Sequence, residues 1–309
     1  MAPFPSLTKE WHSEPYPSID PTRPELSAKG KVIAITGGEG SIGIAVARAF
    51  ARAGAERIAI VGRSVDRWSN AKREIECLGA RVLAVRGDIS DGPSIHSAFA
   101  TIEREFGRVD VAVANAGYLA TFSSIPEADP DEWWKGFEVN TKGAFNISRA
   151  FLAVAAPEAY LVDISSGIVH MPAKPGASSY ISSKLAATKV YETVAAENES
   201  LHVVYIHPGV VRSELSRKAG MTAMDSGELD LIYWQSQSSN SGQDGLLTEM
   251  SPSADLAGRF FVWAVSPEAK FLRNKYLWAN WDVDELKRRR EELGQPHQLN
   301  IRMSGLPLC

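Results

Sequence analysis

Short apolar runs at 31–36, 57–61, 81–85, 109–114, 159–164 and 201–206 alternate with longer stretches of helical spacing at 42–53, 64–78, 94–106, 141–155 and 178–198. Strands that are apolar throughout, with no polar alternation, are buried on both faces. Their alternation with helices predicts an α/β fold built on a parallel sheet. Right-handed crossovers then make that sheet doubly wound, a Rossmann fold. A late strand is expected at 275–279 (KYLWA), between helices at 254–265 and 283–293. The stretch at 141–155 is nearly all apolar or small, through Ala144, Phe145, Ile147, Ala150, Phe151 and Ala153, which suits a buried helix.

Two segments break the pattern. Residues 1–28 are rich in proline, serine and charge, and read as an extended arm packed through Trp11 and Tyr16. Residues 214–250 carry serine, glycine, methionine and glutamine without periodicity, and an insertion of that length inside a domain is usually functional. The organisation expected is one domain at 29–293 with a substrate lid at about 214–250, preceded by the arm and followed by a tail at 294–309.

Composition narrows the functional classes. The 309 residues are 44% hydrophobic and 23% charged, an ordinary globular balance. A net charge of -4 gives no electrostatic case for nucleic acid or an anionic membrane. Cys77 and Cys309 form neither a disulfide framework nor a metal-ligand spacing, so no metal is expected and a reducing, cytoplasmic setting is. No apolar run approaches the ~18 residues of a membrane-spanning helix, and the first residues lack the pattern of a secretory signal.

The chemistry concentrates in two places. Thr36-Gly-Gly-Glu-Gly-Ser-Ile-Gly43 lies between the first strand and the first helix. Glycines there let the backbone approach a pyrophosphate, which the free N–H groups of the helix start then bind. The second strand ends in Gly62-Arg63-Ser64 with no carboxylate. An acid at that place receives the ribose of NAD, whereas an arginine suits the added phosphate of NADP. Glu39 in the glycine turn opposes that phosphate, so NADP(H) is favoured with NAD still open. Tyr180 and Lys184 are spaced to share one helix face. A lysine ammonium beside a phenol favours the phenolate, which makes such a pair a proton donor and acceptor for carbonyl reduction or alcohol oxidation.

With these residues assembled, the chain resembles the short-chain dehydrogenase/reductase family over about 28–281, in a form similar to fungal members. The resemblance rests on Thr36, Gly37 and Gly43 with Ser41 in place of the middle glycine and Ile42 beside it, on Asp88-Ile89, and on Asn115-Ala116-Gly117. It rests further on Asn140, on Ser166 fourteen residues before Tyr180, on Lys184, and on Pro208-Gly209 through Val211 to Ser213. The Ser166–Tyr180 interval is one residue longer than is commonest in the family.

The resemblance implies a catalytic set of Asn140, Ser166, Tyr180 and Lys184. It also implies a cofactor site from Gly37, Glu39, Ser41, Ile42, Gly43, Arg63, Ser64, Asp88, Ile89, Asn115, Ala116 and Gly117, completed by Tyr180, Lys184, Pro208, Gly209, Val211 and Ser213. Asp88 would meet the adenine amino group, and Pro208–Ser213 the nicotinamide amide. The family also implies a homodimer or homotetramer built on the helices at 141–155 and 178–198.

The substrate is a small molecule. Leu215, Met221, Met224, Tyr233 and Trp234 in the insertion suit an apolar ligand, aromatic or polycyclic, or equally a packing surface. Tyr118, His170 and Met171 are further lining candidates by their place after strands. The function expected is hydride transfer between the nicotinamide and a carbonyl or secondary alcohol. A non-redox enzyme on the same scaffold (isomerase, dehydratase or cyclase) and a non-enzymatic NADP sensor are the alternatives, since a fold does not fix chemistry.

Overall fold

A computed structural model of the chain describes residues 6–38, 40–64, 68–211 and 253–302. Seven strands are present: β1 (Val32–Thr36), β2 (Arg57–Gly62), β3 (Arg81–Arg86), β4 (Val109–Ala114), β5 (Ala155–Ile164), β6 (His202–His207) and β7 (Tyr276–Trp278). They form one sheet in the order β3-β2-β1-β4-β5-β6-β7. Every neighbouring pair is parallel. The helices are α1 (Ser41–Arg52), α2 (Ser69–Glu76), α3 (Gly92–Phe106), α4 (Pro130–Gly136), α5 (Gly143–Val154), α6 (Ser178–Glu197), α7 (Ala254–Ala264), α8 (Val283–Arg288) and α9 (Arg290–Leu293). This is the single-domain doubly wound fold that the apolar pattern predicts. The strand order reverses between β1 and β4, which opens a crevice at the carboxyl ends of the strands.

The departures from expectation have local causes. Helix α4 was not foreseen; it begins at Pro130 behind Asp129, whose Oδ1 accepts the Asp131 and Glu132 amides at 2.9 Å each. Between α4 and α5 the chain makes one π-helical turn, Phe137–Lys142, so the helix expected at 141–155 is the end of a longer helical run. That helix is buried on one side only, for Ala144, Ile147, Ala150 and Phe151 are buried while Phe145 is 50% exposed. Strand β5 starts earlier than expected, at Ala155, and its pairing with β4 shifts between Val109 and Val111 to absorb Pro157 and Glu158. Beyond β7 the helical stretch splits into α8 and α9 at Arg289.

The arm is tied to the far edge of the sheet. Trp11 pairs antiparallel with Trp281, and the His12 amide donates to Asn280 O at 2.9 Å. The Tyr16 hydroxyl donates to Trp281 O at 3.1 Å and accepts the Val283 amide at 2.9 Å. Ile19 and Leu26 are fully buried in the core. Among the described residues no helix is long and apolar enough to cross a membrane. Glu39, Ser213 and the insertion at 214–250, with Leu215, Met221, Met224, Tyr233 and Trp234, lie outside the described residues.

Candidate active site

The crevice at the strand ends holds a cavity of about 470 Å³. The end where the expected cofactor residues gather is made largely of backbone. Gly37 has a φ of +64°, and a Cβ there would stand 2.8 Å from Ala116 Cα, so the turn after β1 touches the turn after β4. A Cβ on Gly43 would meet Gly38 Cα at 2.6 Å and Gly37 O at 2.8 Å. Only glycine lets α1 start this close beneath the turn. Asn115 fastens the two turns together: its Nδ2 donates to Gly37 O at 2.6 Å and Thr36 O at 2.9 Å. The Thr36 hydroxyl accepts the amides of Asn115 and Ala116.

Ser41 and Ile42 open α1 and line the cavity, where the N–H groups of a first helical turn have no partner within the helix. Ser41 occupies the family's middle glycine position as an ordinary first residue of the helix, so the substitution is accommodated. Arg63 lines the cavity at the end of β2. Asp88 and Ile89 line it after β3, and Asp88 Oδ1 accepts the Ser90 amide and hydroxyl at 2.9 and 2.7 Å. Ala116, Gly117, Pro208, Gly209 and Val211 complete the expected backbone set.

The other end is made of side chains. Ser166, Tyr180 and Lys184 line the same cavity. Ser166 follows β5 and starts a single 3-10 turn at Gly167. Tyr180 and Lys184 stand on the first turns of α6. Lys184 is buried, and its Nζ donates to Ile164 O at 2.6 Å. Asn140 does not line the cavity. It is buried in the π-helical turn, where Oδ1 accepts the Tyr118 amide at 2.8 Å and Nδ2 donates to Tyr118 O and Ser183 Oγ at 2.9 Å each. It thereby clamps the segment after β4 to α6, one residue from Lys184.

Other expected residues stand apart. Gly43 lies under the turn rather than on the cavity surface, and Ser64 is exposed outside the lining. His170 is not a lining residue either. The Trp278 indole N–H donates to its Nε2 at 3.1 Å, and its ring packs edge-on against Tyr276 at 4.7 Å. The residue is exposed overall, yet that packing of the ring lowers its pKa to about 4. Tyr118 and Met171 do line the cavity. So do Leu119, Phe122, Lys135, Lys174, His207 and Trp278, which the sequence reading missed. His207 and Trp278 end β6 and β7, and a carboxyl-terminal position on a parallel strand was the available signal. His207 is buried, and desolvation, with His170 nearby, depresses its pKa to about 3.

A doubly wound sheet with a glycine turn at its switch point, and a serine, a tyrosine and a lysine gathered in the same crevice, defines a nicotinamide-dependent oxidoreductase. The chain belongs to the short-chain dehydrogenase family: the family model described as short chain dehydrogenase matches residues 31–223. It is 32% identical over 316 residues to the short chain dehydrogenase mpl6 of Monascus purpureus, a match covering 98% of this chain and 99% of that one. It is 33% identical to an alcohol dehydrogenase from the archaeon Thermococcus sibiricus, solved with 5-hydroxy-NADP, over 59% of this chain and 77% of that one, with a TM-score of 0.54. A short chain dehydrogenase from Burkholderia cenocepacia, solved in complex with NADP, shares the fold with a TM-score of 0.68 at 23% identity, over 83% of this chain and 98% of that one.

Proposed function

We propose that the protein interconverts a carbonyl and a secondary alcohol on an apolar small molecule, aromatic or polycyclic, with NADP(H) as the redox partner. The observation that carries this reading is that Ser166, Tyr180 and Lys184 line the same cavity as the glycine turn, Arg63 and Asp88. The cofactor end fits a dinucleotide, because its glycines leave backbone where a Cβ would stand and the start of α1 offers free N–H groups. Arg63 in place of a strand-end carboxylate supports NADP, whose added phosphate a guanidinium binds as a planar fork. The NADP-type ligands of the two solved relatives support the same choice. Asp88 keeps an oxygen for the adenine amino group beyond the one Ser90 uses.

When bound, the nicotinamide supplies or receives the hydride. Tyr180 gives its phenolic proton to the oxygen that becomes the alcohol, and takes it back in the oxidative direction. Ser166 donates a hydrogen bond to the same oxygen as negative charge builds on it. The ammonium of Lys184, fixed at Ile164 O, stabilises the phenolate left on Tyr180. Asn140 positions rather than reacts, since its side-chain polar atoms are engaged by Tyr118 and Ser183. Tyr118, Leu119, Phe122, Met171 and Trp278 make the substrate end apolar and aromatic, the kind of lining that suits such a ligand. A homodimer or homotetramer built on α5 and α6, with Phe145 covered, and a cytoplasmic location belong to the same reading.

The test is NADPH oxidation, followed by its absorbance, against a panel of aromatic and polycyclic ketones. Tyr180→Phe is expected to bind NADPH as the parent does and to lose turnover by roughly 10²–10⁴-fold. A variant that turns over at the parental rate removes Tyr180 from the reaction. A parent that binds NADPH and consumes it with no ketone defeats the redox reading.

A further inference from the structure

Beneath the site, one row of the sheet is polar where its surroundings are apolar. Asp163 on β5 is in register with Tyr205 on β6, and Tyr205 with Tyr276 on β7. All three are buried, and among the described residues Asp163 Oδ2 and both phenol oxygens have no hydrogen-bond partner. The Tyr276 hydroxyl faces Ser165 and the backbone of Ser166 without closing a bond to either. A buried carboxyl with an orphaned oxygen is costly, and an apolar residue in its place would fold at least as well.

The groups around Asp163 identify what the acid serves. Lys184 and Tyr191 face it from α6, Tyr205 from β6 and Tyr276 from β7, while its register neighbour on β4 is Ala114. Lys184 is the cation of that set. Its Nζ is held at the carbonyl of Ile164, the residue directly after Asp163. One turn along α6, Thr188 Oγ1 contacts Ser165 Oγ at 3.3 Å and donates to Lys184 O at 3.1 Å. Helix α6 is therefore pinned to 164–165 at the lysine and again one turn beyond it.

We propose that Asp163 is a positioning residue of the active site: its carboxylate holds the Lys184 ammonium at the Ile164 carbonyl and offsets part of the positive field that Lys184 casts on Tyr180. The inference rests on the reading of Tyr180 as the proton donor. Burial lifts the Asp163 carboxyl to about 6, with the Lys184 charge and Ser165 pulling it back, so the acid is charged at neutral pH and neutral below that.

The experiment reads Tyr180 directly and needs no substrate. The chain has 8 tyrosines, so Tyr180 is isolated as the difference in phenolate absorbance between proteins with and without Tyr180→Phe. Measured in the parent and in the Asp163→Asn background, the Tyr180 transition is expected to move to lower pH by roughly one unit when the carboxylate is removed. An unmoved transition overturns the proposal, whatever the enzyme is found to reduce. A second measurement stands if Asp163→Asn does not fold. Coupling between two groups is reciprocal, so in carbon-13 aspartate-labelled protein Lys184→Met should raise the pH at which the carboxyl titrating near 6 loses its proton. A carboxyl that titrates identically with and without the ammonium also overturns it.

Discussion

The two ends of the cavity are built by different means. The proposed cofactor end uses backbone: Gly37 against Ala116, Gly43 against Gly38, and one asparagine tying two turns together. The proposed catalytic end uses side chains from segments far apart in sequence, from Ser166 and Tyr180 to His207 and Trp278, and Trp278 is in turn packed by Trp11 of the arm at 5.8 Å. A site made of backbone tolerates almost no added atom but asks little of side-chain chemistry. A site made of buried side chains depends instead on which of them carry charge.

The largest loss of cofactor affinity that separates the two ends is expected from Gly43→Ala. The new methyl would stand 2.6 Å from Gly38 Cα, a backbone atom that cannot step aside alone. Overpacking of this kind costs about 1–3 kcal/mol, and if it falls on the phosphate-binding turn NADPH affinity drops roughly 10–100-fold. Tyr180→Phe should do the converse, sparing affinity and removing turnover. A fluorescence titration in which Gly43→Ala binds NADPH like the parent would show that the turn does not hold the pyrophosphate.

This division also explains what the sequence made readable. Backbone constraints leave short, contiguous signatures, so the glycine turn was readable from its place between a strand and a helix, while Asp88 and Asn115–Gly117 were readable only through the family resemblance. Tyr180 and Lys184 were readable because one helix face joins them. The alternating apolar runs gave the sheet nearly strand for strand, since parallel strands buried on both faces leave no other pattern. Helix α4 escaped although Asp129-Pro130 is a helix-start signal, because its seven residues are too few to show periodicity. The π-helical turn that aims Asn140 at Tyr118 and Ser183 has no signature in residue type. His170 was misplaced because position after a strand does not say which way a ring turns, and here the Trp278 indole draws it off the cavity.

Charge at the catalytic end should appear in the pH dependence of stability. His207 and His170 titrate near 3 and 4 in the fold, below the ~6.5 of an unfolded histidine. Between those values the unfolded chain binds protons that the folded one refuses, so their contribution is intact above about 6.5 and is lost as pH falls. Asp163 has the opposite sign: its folded pKa near 6 lies above the ordinary carboxylate range, so its contribution is present at low pH and is lost as pH rises through 6. The buried His202 is held down by desolvation as His207 is, so the depressed histidines together outweigh one raised carboxyl. The thermal midpoint should therefore fall on acidification from about pH 6.5 to 4, and His207→Gln should flatten the slope. A midpoint that is level across that window in the parent would mean that these rings do not stay neutral in the fold.

The smallest effect tests whether the arm belongs to the catalytic end. Removing the Tyr16 hydroxyl with Tyr16→Phe leaves the Val283 amide, at the buried start of α8, without its acceptor. A lost partner of this kind costs about 1–3 kcal/mol, which a thermal melt reads as a drop of several degrees. The same hydroxyl holds Trp281, whose ring stacks at 6.3 Å on Trp278 in the cavity wall. Loosening it should raise KM for the ketone modestly and leave NADPH affinity unchanged, because among the described residues the hydroxyl's partners are Trp281 and Val283 rather than the glycine turn. If the variant weakens NADPH and ketone alike, the two ends are coupled through the sheet. If neither changes while the melt does, the arm secures the edge of the sheet and has no part in substrate binding.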